Sequence, residues 1–245
     1  MNELTTTNTN ELSTGAPQGF AFGFETVTTK DIKIPLIYVA QNMSDIVSEG
    51  TARPGDIVEN LEKRVLGTKE KPAQVIPFYF QKTYQVKKLI NGKKEFFANE
   101  PYTKELPFEE HKDGETYYNY PSYNFFVLIA GDDTYTRYIL SFRGSRNISS
   151  GGRPMLSQLM QNYQVKRAPY EQVFDIGVKL VENEKGKWFV LTATQNKQVL
   201  PADKAKEYAK TYAIEIERMI KSGAVVDTSS VTDADETTQG ENVPF

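Results

Sequence analysis

The chain has 245 residues, of which 39 % are hydrophobic and 25 % charged, and its formal net charge is −3. This composition is typical of a globular protein, and no apolar run approaches the roughly 20 residues of a membrane-spanning helix, so we expect no membrane partner. The polar N-terminus has neither the basic nor the apolar region of a secretory signal, which predicts a cytoplasmic protein. The absence of cysteine excludes disulfides and thiolate metal sites.

Charge is segregated along the chain. Residues 224–245 contain five acidic and no basic residues, whereas residues 19–223 hold 29 basic against 25 acidic ones, a net charge of +4. Residues 1–18 are rich in Thr, Asn and Ser and have little to bury. We therefore predict a disordered leader at 1–18, one domain at 19–223, and a disordered acidic C-terminal tail at 224–245.

The first half of the chain predicts β-strands. Residues 32–39 are β-prone, but Pro35 indicates an edge or irregular segment. A strand is predicted at 74–81, and two more at 84–90 and 93–98, on either side of Asn91-Gly92. That dipeptide favours a tight type I′ hairpin turn.

Further along, residues 99–122 contain three prolines and predict a long polar loop. Two strands, at 123–130 and 134–143, form a predicted hairpin about Gly131-Asp-Asp133. The run Gly151-Gly-Arg-Pro154 predicts the start of a helix that continues to residue 163.

The chain then predicts strands at 172–182 and 187–194 and a final helix at 202–221, which Gly223 ends. The predicted fold class is therefore β-rich (α+β). The order of elements indicates an OB-fold-like five-stranded barrel with inserted hairpin and loops, one helix between strands 3 and 4, and a C-terminal helix.

Aromatic and basic residues are concentrated between Phe78 and Phe142, which contains 17 of the 28 Phe and Tyr residues. Exposed rings stack on bases while Lys and Arg bind phosphates, and this combination suits single-stranded nucleic acid. For any single ring, packing within a half-buried strand is the simpler interpretation. The excess of rings, and their placement in the polar stretch 117–123, favour binding. The candidate DNA-binding residues in this region are Tyr79, Lys82, Tyr84, Lys87, Lys88, Lys93, Lys94, Tyr117, Tyr118, Tyr120, Tyr123, Tyr135 and Arg137.

A second candidate feature is the Gly/Ser-rich run from Arg143 to Arg153. Arg143, Arg146 and Arg153 lie near a predicted helix start, where guanidinium groups and backbone N–H groups bind phosphate. A flexible surface loop with incidental charge is the alternative interpretation.

The C-terminus is the third feature, because an acidic, polar stretch ends in an aromatic residue. A terminal ring can enter a small pocket while basic residues hold its carboxylate. The alternative is a solubilising tail that happens to end in Phe. The candidate partner-binding residues are Asp233, Asp235, Glu236, Glu241, Val243, Pro244 and Phe245.

The end Val243-Pro244-Phe245 is similar to the tip of bacterial single-stranded-DNA-binding proteins, in which an acidic run precedes Ile-Pro-Phe. The chain also resembles the phage proteins of this class, which join an OB-fold to an acidic tail with a terminal Phe. Phage-encoded DNA-binding proteins show a similar N-terminal pattern, here Ile34-Pro-Leu, Gln41, Ser44, Gly50 and Arg53-Pro-Gly-Asp56. The acids near the tip are sparser here than in the bacterial proteins.

This resemblance implies a phage protein of the host cytoplasm. It further implies that the tail recruits replication, recombination or repair proteins and competes with DNA for the basic groove.

The sequence contains no constellation typical of an enzyme. His111 is the single histidine and lies in a charged stretch, and Asp132-Asp133 is typical of a turn, so we predict no catalysis, no metal and no cofactor. The leading hypothesis is sequence-nonspecific binding of single-stranded DNA, with self-association left open. A phage structural or assembly protein without nucleic-acid binding is the alternative, and a strand-annealing recombination mediator is a third possibility.

Overall fold

The computed structural model describes residues 34–184, 186–221 and 223. The predicted leader (1–18) and acidic tail (224–245) lie outside these residues. Within them, ten strands form one mixed sheet. The strands are β1 Leu36–Val39, β2 Ile57–Glu59, β3 Val65–Gly67, β4 Ala73–Ile90, β5 Lys93–Pro101, β6 Glu109–Lys112, β7 Glu115–Ile129, β8 Tyr138–Arg143, β9 Val173–Asn183 and β10 Gly186–Asn196.

The strand order is β10-β9-β4-β7-β8-β1-β2-β3, with β5 added beside β4 and β6 beside β7. All pairs are antiparallel except β1 and β8, which are parallel. The predicted five-stranded OB-fold-like barrel is wrong, because this sheet is open and twice as wide. The predicted middle helix is present, but it lies between β8 and β9.

Two long strands organise the sheet. β4 has 18 residues and β7 has 15, and the two pair along most of their length. The segments predicted as separate strands at 74–81 and 84–90 are one continuous strand. Its first half pairs with β9 and its second half with β5, so a single strand serves two neighbours.

The second half of β4 and the first half of β7 form a four-stranded, antiparallel extension in the order β5-β4-β7-β6. The predicted turn between β4 and β5 is confirmed. Ile90 pairs with Lys93, and Asn91 and Gly92 have φ angles of 51° and 78°. Positive φ at both turn residues is the type I′ geometry that matches the twist of the strands.

The predicted loop at 99–122 is wrong for most of its length, because the end of β5, the whole of β6 and the start of β7 occupy it. Pro121 is tolerated within β7 for a positional reason. The N–H of Asn119 donates to the carbonyl of Phe108, on the side of β7 where β6 lies. A backbone N–H at position 121 would point to the same side, but β6 has already ended there. The missing N–H of Pro121 therefore costs no bond of the sheet.

A helical segment covers one face of the sheet, which we call the α3 face. It comprises α2 (Gly144–Asn147), a π-helical turn (Ile148–Gly152) and α3 (Arg153–Gln164), and a shorter helix, α1 (Asp45–Ser48), precedes it in the chain. The helix predicted to start at Gly151 therefore begins seven residues earlier, and the Arg143–Arg153 run is not a loop. Gly151 permits the helical segment to lie close against the sheet, because a Cβ at this position would be 2.2 Å from the ring of Phe142.

The opposite face carries α4 (Asp203–Lys221), which packs Ala205, Ala209 and Ile216 against Phe78 and Phe126. We call it the α4 face. A 3-10 turn, Pro169–Glu171, precedes β9. Of the helices in the described part of the chain, none has the length and apolar character needed to cross a membrane.

Side chains satisfy the outer edge of β10. The amide of Gln41 donates to the carbonyl of Phe189 and accepts from its N–H, both at 2.9 Å. Asn147 accepts from the N–H of Leu191, and Ser150 donates to the carbonyl of the same residue. Another strand therefore cannot pair with this edge at Phe189 and Leu191.

Candidate nucleic-acid interface

A cleft of about 410 Å³ lies on the α3 face, where the extension leaves the body of the sheet. Its floor consists of side chains from β4 and β7. One wall is the segment 102–108 and the other is the beginning of the helical segment, from Ser145 to Arg153. The charged and aromatic side chains that line it are Lys82, Tyr84, Tyr102, Glu105, Phe108, Tyr123 and Arg153.

Strand register brings the central side chains together. Lys82 pairs directly with Tyr123 across β4 and β7, and Tyr84 follows Lys82 on the same face. The ammonium group of Lys82 lies 3.4 Å from the ring centroid of Tyr102 and 5.5 Å from that of Tyr123. This cation–π arrangement holds a positive charge between two rings at the floor of the cleft.

Tyr84 and Asn119 help to hold the segment 102–108 in place. The rings of Tyr84 and Tyr102 stack with centroids 5.0 Å apart. The N–H of Leu106 donates to the Tyr84 hydroxyl at 2.9 Å, and the side-chain amide of Asn119 donates to the carbonyl of Pro107 at 2.9 Å. Burial raises the pKa of the Tyr84 hydroxyl, so this group stays neutral at physiological pH.

The opposite wall presents Arg153, an exposed residue at the start of α3. Among the described residues that line the cleft, Arg153 and Lys82 are positively charged and Glu105 is the single carboxylate. The cleft therefore combines a net positive charge with aromatic rings. Such a site can bind an anion and a planar group together.

A second aromatic and basic cluster lies on the extension. The ammonium group of Lys94 lies 3.9 Å from the ring centroid of Tyr118 and 5.6 Å from that of Phe108. Lys94 also contacts the Tyr120 hydroxyl, at 3.4 Å, and the ammonium of Lys87 lies 5.6 Å from the Tyr120 ring. Each lysine in this cluster is thus associated with tyrosine.

Near the end of the extension, Lys88 forms an ion pair with Glu115 at 2.5 Å, and the hydroxyl of Tyr117 donates to the same carboxylate at 2.7 Å. These hydrogen bonds lower the pKa of Glu115 and raise that of Lys88. The charge of Lys88 is therefore largely balanced within the protein. Lys93, one strand away, is exposed.

The family model for the Pam3 phage gp34-like protein matches residues 5–225. The chain belongs to this family. The predicted phage character is thereby confirmed at the level of the family. No curated protein and no solved structure matches the chain.

In this gp34-like chain, three of the predicted site residues lie on the α4 side of the sheet, and two of them contact α4 directly. Tyr79 packs edge-on against the Phe126 ring on the α4 face, and Tyr135 stacks on Tyr208 with centroids 4.6 Å apart. Arg137 donates to Glu215 at 2.9 Å. These contacts use the rings and the charge for packing, on the side of the sheet that faces away from the cleft.

The other predicted residues have different surroundings. Arg143 is a buried residue of β8, and the guanidinium of Arg146 lies 5.1 Å from the Trp188 ring. His111 contacts Thr116 and Glu109 on the surface of β6. The candidate partner-binding residues, from Asp233 to Phe245, lie outside the described residues.

Sequence reasoning did not select Tyr102, Leu106 or Phe108. All three belong to a proline-flanked stretch predicted as irregular, in which no periodicity indicates the direction of a side chain. The one available signal was that an aromatic residue stands at each end of the segment.

Proposed function

We propose that this protein binds single-stranded DNA without sequence preference and that the cleft on the α3 face is its principal contact. The observation that carries the proposal is the position of Lys82 over the ring of Tyr102, in a cleft shared with Tyr123 and Arg153. Rings supply stacking surfaces for bases, and the two cations supply contacts for the phosphates between them.

The size of the cleft supports a contact with one or two nucleotides. Sites for small ligands have volumes of about 300–1,000 Å³, and the cleft lies near the lower end of that range. A longer strand would continue past the cleft along the same face of the extension, where Lys88 pairs with Tyr117 across β4 and β7. The cluster around Lys94 lies on the opposite face of the extension. Single strands are favoured over duplex because their bases are accessible for stacking.

The acidic tail enters the proposal as the segment that recruits replication, recombination or repair proteins. Its composition and its terminal Phe245 support this role. Deletion of residues 224–245 should leave DNA affinity unchanged or increase it, because the deletion removes five negative charges. Loss of DNA binding on this deletion would contradict the proposal.

The alternative function is that of a phage structural or assembly protein. Membership of a phage family and the exposed edge strands of the extension favour it. This alternative uses the tyrosines for packing alone and predicts no affinity for single strands at moderate salt.

Fluorescence anisotropy separates the two functions. The probe is a labelled oligo-dT of about 30 nucleotides, longer than the roughly 4–16 nucleotides that one small binding domain covers. A duplex of equal length is the control. Tight, salt-sensitive binding to the single strand, with much weaker binding to the duplex, is the expected result. Equal weakness toward both ligands would reject the proposal in favour of the assembly function.

A further inference from the structure

The two outer strands of the extension each pair with one neighbouring strand in the part of the chain that the structure describes. Within the described residues, β5 pairs only with β4, and β6 pairs only with β7. Most residues of both strands are exposed. Unlike the edge of β10, which side chains occupy at Phe189 and Leu191, these two edges can accept a further strand.

Chain direction permits one copy to extend the sheet of another. Neighbouring strands within the extension are antiparallel throughout. If two copies stand side by side in the same orientation, β6 of one is therefore antiparallel to β5 of the next. Such a contact joins two different surfaces, so it can repeat from copy to copy.

The charges on the two edges select the register of this pairing. Within one copy, Glu95 and Glu110 lie at the same level, because Lys88 pairs with Glu95 and Tyr117 pairs with both Lys88 and Glu110. Copies aligned without stagger would place Glu95 opposite Glu110, and like charges directly opposite each other are destabilising.

A stagger of two residues removes this repulsion and places Lys112 of one copy opposite Glu95 of the next. Both side chains lie on the α3 face, since Glu95 pairs with Lys88, Lys112 pairs with Glu115, and Lys88 and Glu115 are on that face. The same register keeps all four residues of β6 opposite β5. It also covers Phe96 and Phe97, which are 39 % and 53 % exposed. Phe97 is left unpaired with β4 by an irregularity in β5, which accounts for its exposed ring.

We propose that copies of this chain associate edge to edge through β5 and β6, with Lys112 opposite Glu95. A four-residue pairing is a small contact, which becomes effective when two copies are held next to each other. On a single DNA strand it would couple neighbouring copies. That role rests on the proposed function, whereas the pairing itself does not require DNA.

Cysteine cross-linking tests the pairing directly, because the chain contains no cysteine of its own. The full chain would carry Glu95→Cys and Lys112→Cys together. Within one copy these positions are separated by three strand spacings, about 14 Å. That separation exceeds the roughly 7 Å limit between the Cα atoms of a disulfide, so every cross-link joins two copies.

Mild oxidation, with and without oligo-dT, should give a ladder of dimers, trimers and larger species. Each single-cysteine variant should give dimers at most. If the double variant forms no larger cross-linked species than its single-cysteine controls, both with and without oligo-dT, the proposal is overturned. The two proposals are tested separately. A failure to bind oligo-dT would reject the proposed function, whereas the cross-linked species in the DNA-free sample test the pairing of β5 with β6.

Charge reversal distinguishes the specific register from random collision. Adding Glu95→Arg or Lys112→Glu alone to the full chain should abolish self-association measured by chemical cross-linking, and the two together should restore it. Self-association is measured in the DNA-free sample, because both substitutions change the charge of the extension along which a longer strand is proposed to run. Self-association that is unchanged in both single variants also overturns the proposal.

Discussion

Replacing Arg153 with Ala should weaken the binding of single-stranded DNA by an amount that depends on salt. Arg153 is exposed at the start of α3, and alanine is a good helix former, so the fold should be unaffected. Each phosphate contact on a single strand contributes a slope of about −0.7 to the plot of log K against log salt. Loss of one contact therefore costs about fivefold in affinity at about 0.1 M salt and about twofold at about 0.3 M.

The measurement is anisotropy of labelled oligo-dT over this range of salt. The matched control is Arg218→Ala, an exposed arginine of α4 on the opposite face of the sheet. The control should keep the slope of the unmodified protein. Parallel salt plots and equal affinities for Arg153→Ala and the unmodified protein would show that the cleft does not contact phosphate.

Three further substitutions test the cleft and the fold. Tyr102→Leu should reduce oligo-dT affinity by up to about fivefold at about 0.1 M salt, the contribution of one phosphate contact, because it removes the ring that positions the Lys82 ammonium. Tyr102→Phe keeps the ring and should keep the affinity, and an unchanged affinity in Tyr102→Leu would contradict this role. Gly151→Ala should lower the free energy of unfolding by about 1–3 kcal/mol, because the new Cβ overlaps the buried Phe142 ring. Urea titration measures this change, and an unchanged midpoint would contradict the close packing at Gly151. Gln41→Ala should destabilise the fold by about 1–3 kcal/mol for each backbone group of Phe189 left unpaired, which the same urea titration measures.

Local chemistry accounts for the elements that sequence reasoning predicted correctly. Asn91-Gly92 prefers positive φ whatever surrounds it, so the hairpin between β4 and β5 follows from the dipeptide. The apolar periodicity of α4 predicts its buried side in the same local way. The concentration of aromatic and basic residues between β4 and β8 was also visible, and it includes Lys82 and Tyr123 of the cleft.

Non-local contacts account for the errors. Pro121 predicts a break when only its neighbours in sequence are considered, and it is accommodated because β6 ends where its N–H would have pointed. Gly151 and Gly152 predict the beginning of a helix, whereas they lie inside a longer helical segment that approaches Phe142 closely. The closed barrel was predicted on the assumption that each strand has one neighbour on each side. β4 instead pairs with both β9 and β5 on one side.

The sequence alone determined the β-rich character, the main hairpin, the two long helices and the basic and aromatic inventory of this protein, because these depend on residue type and short-range periodicity. Only the tertiary structure decided which rings hold α4 and which line the cleft. It also showed that β4 and β7 each run through both the body of one open sheet and its extension. The physical reason is that a side chain's role is set by the partner across the strand or beneath the helix, and residues as distant as Lys82 and Arg153 become neighbours only when the whole sheet has formed.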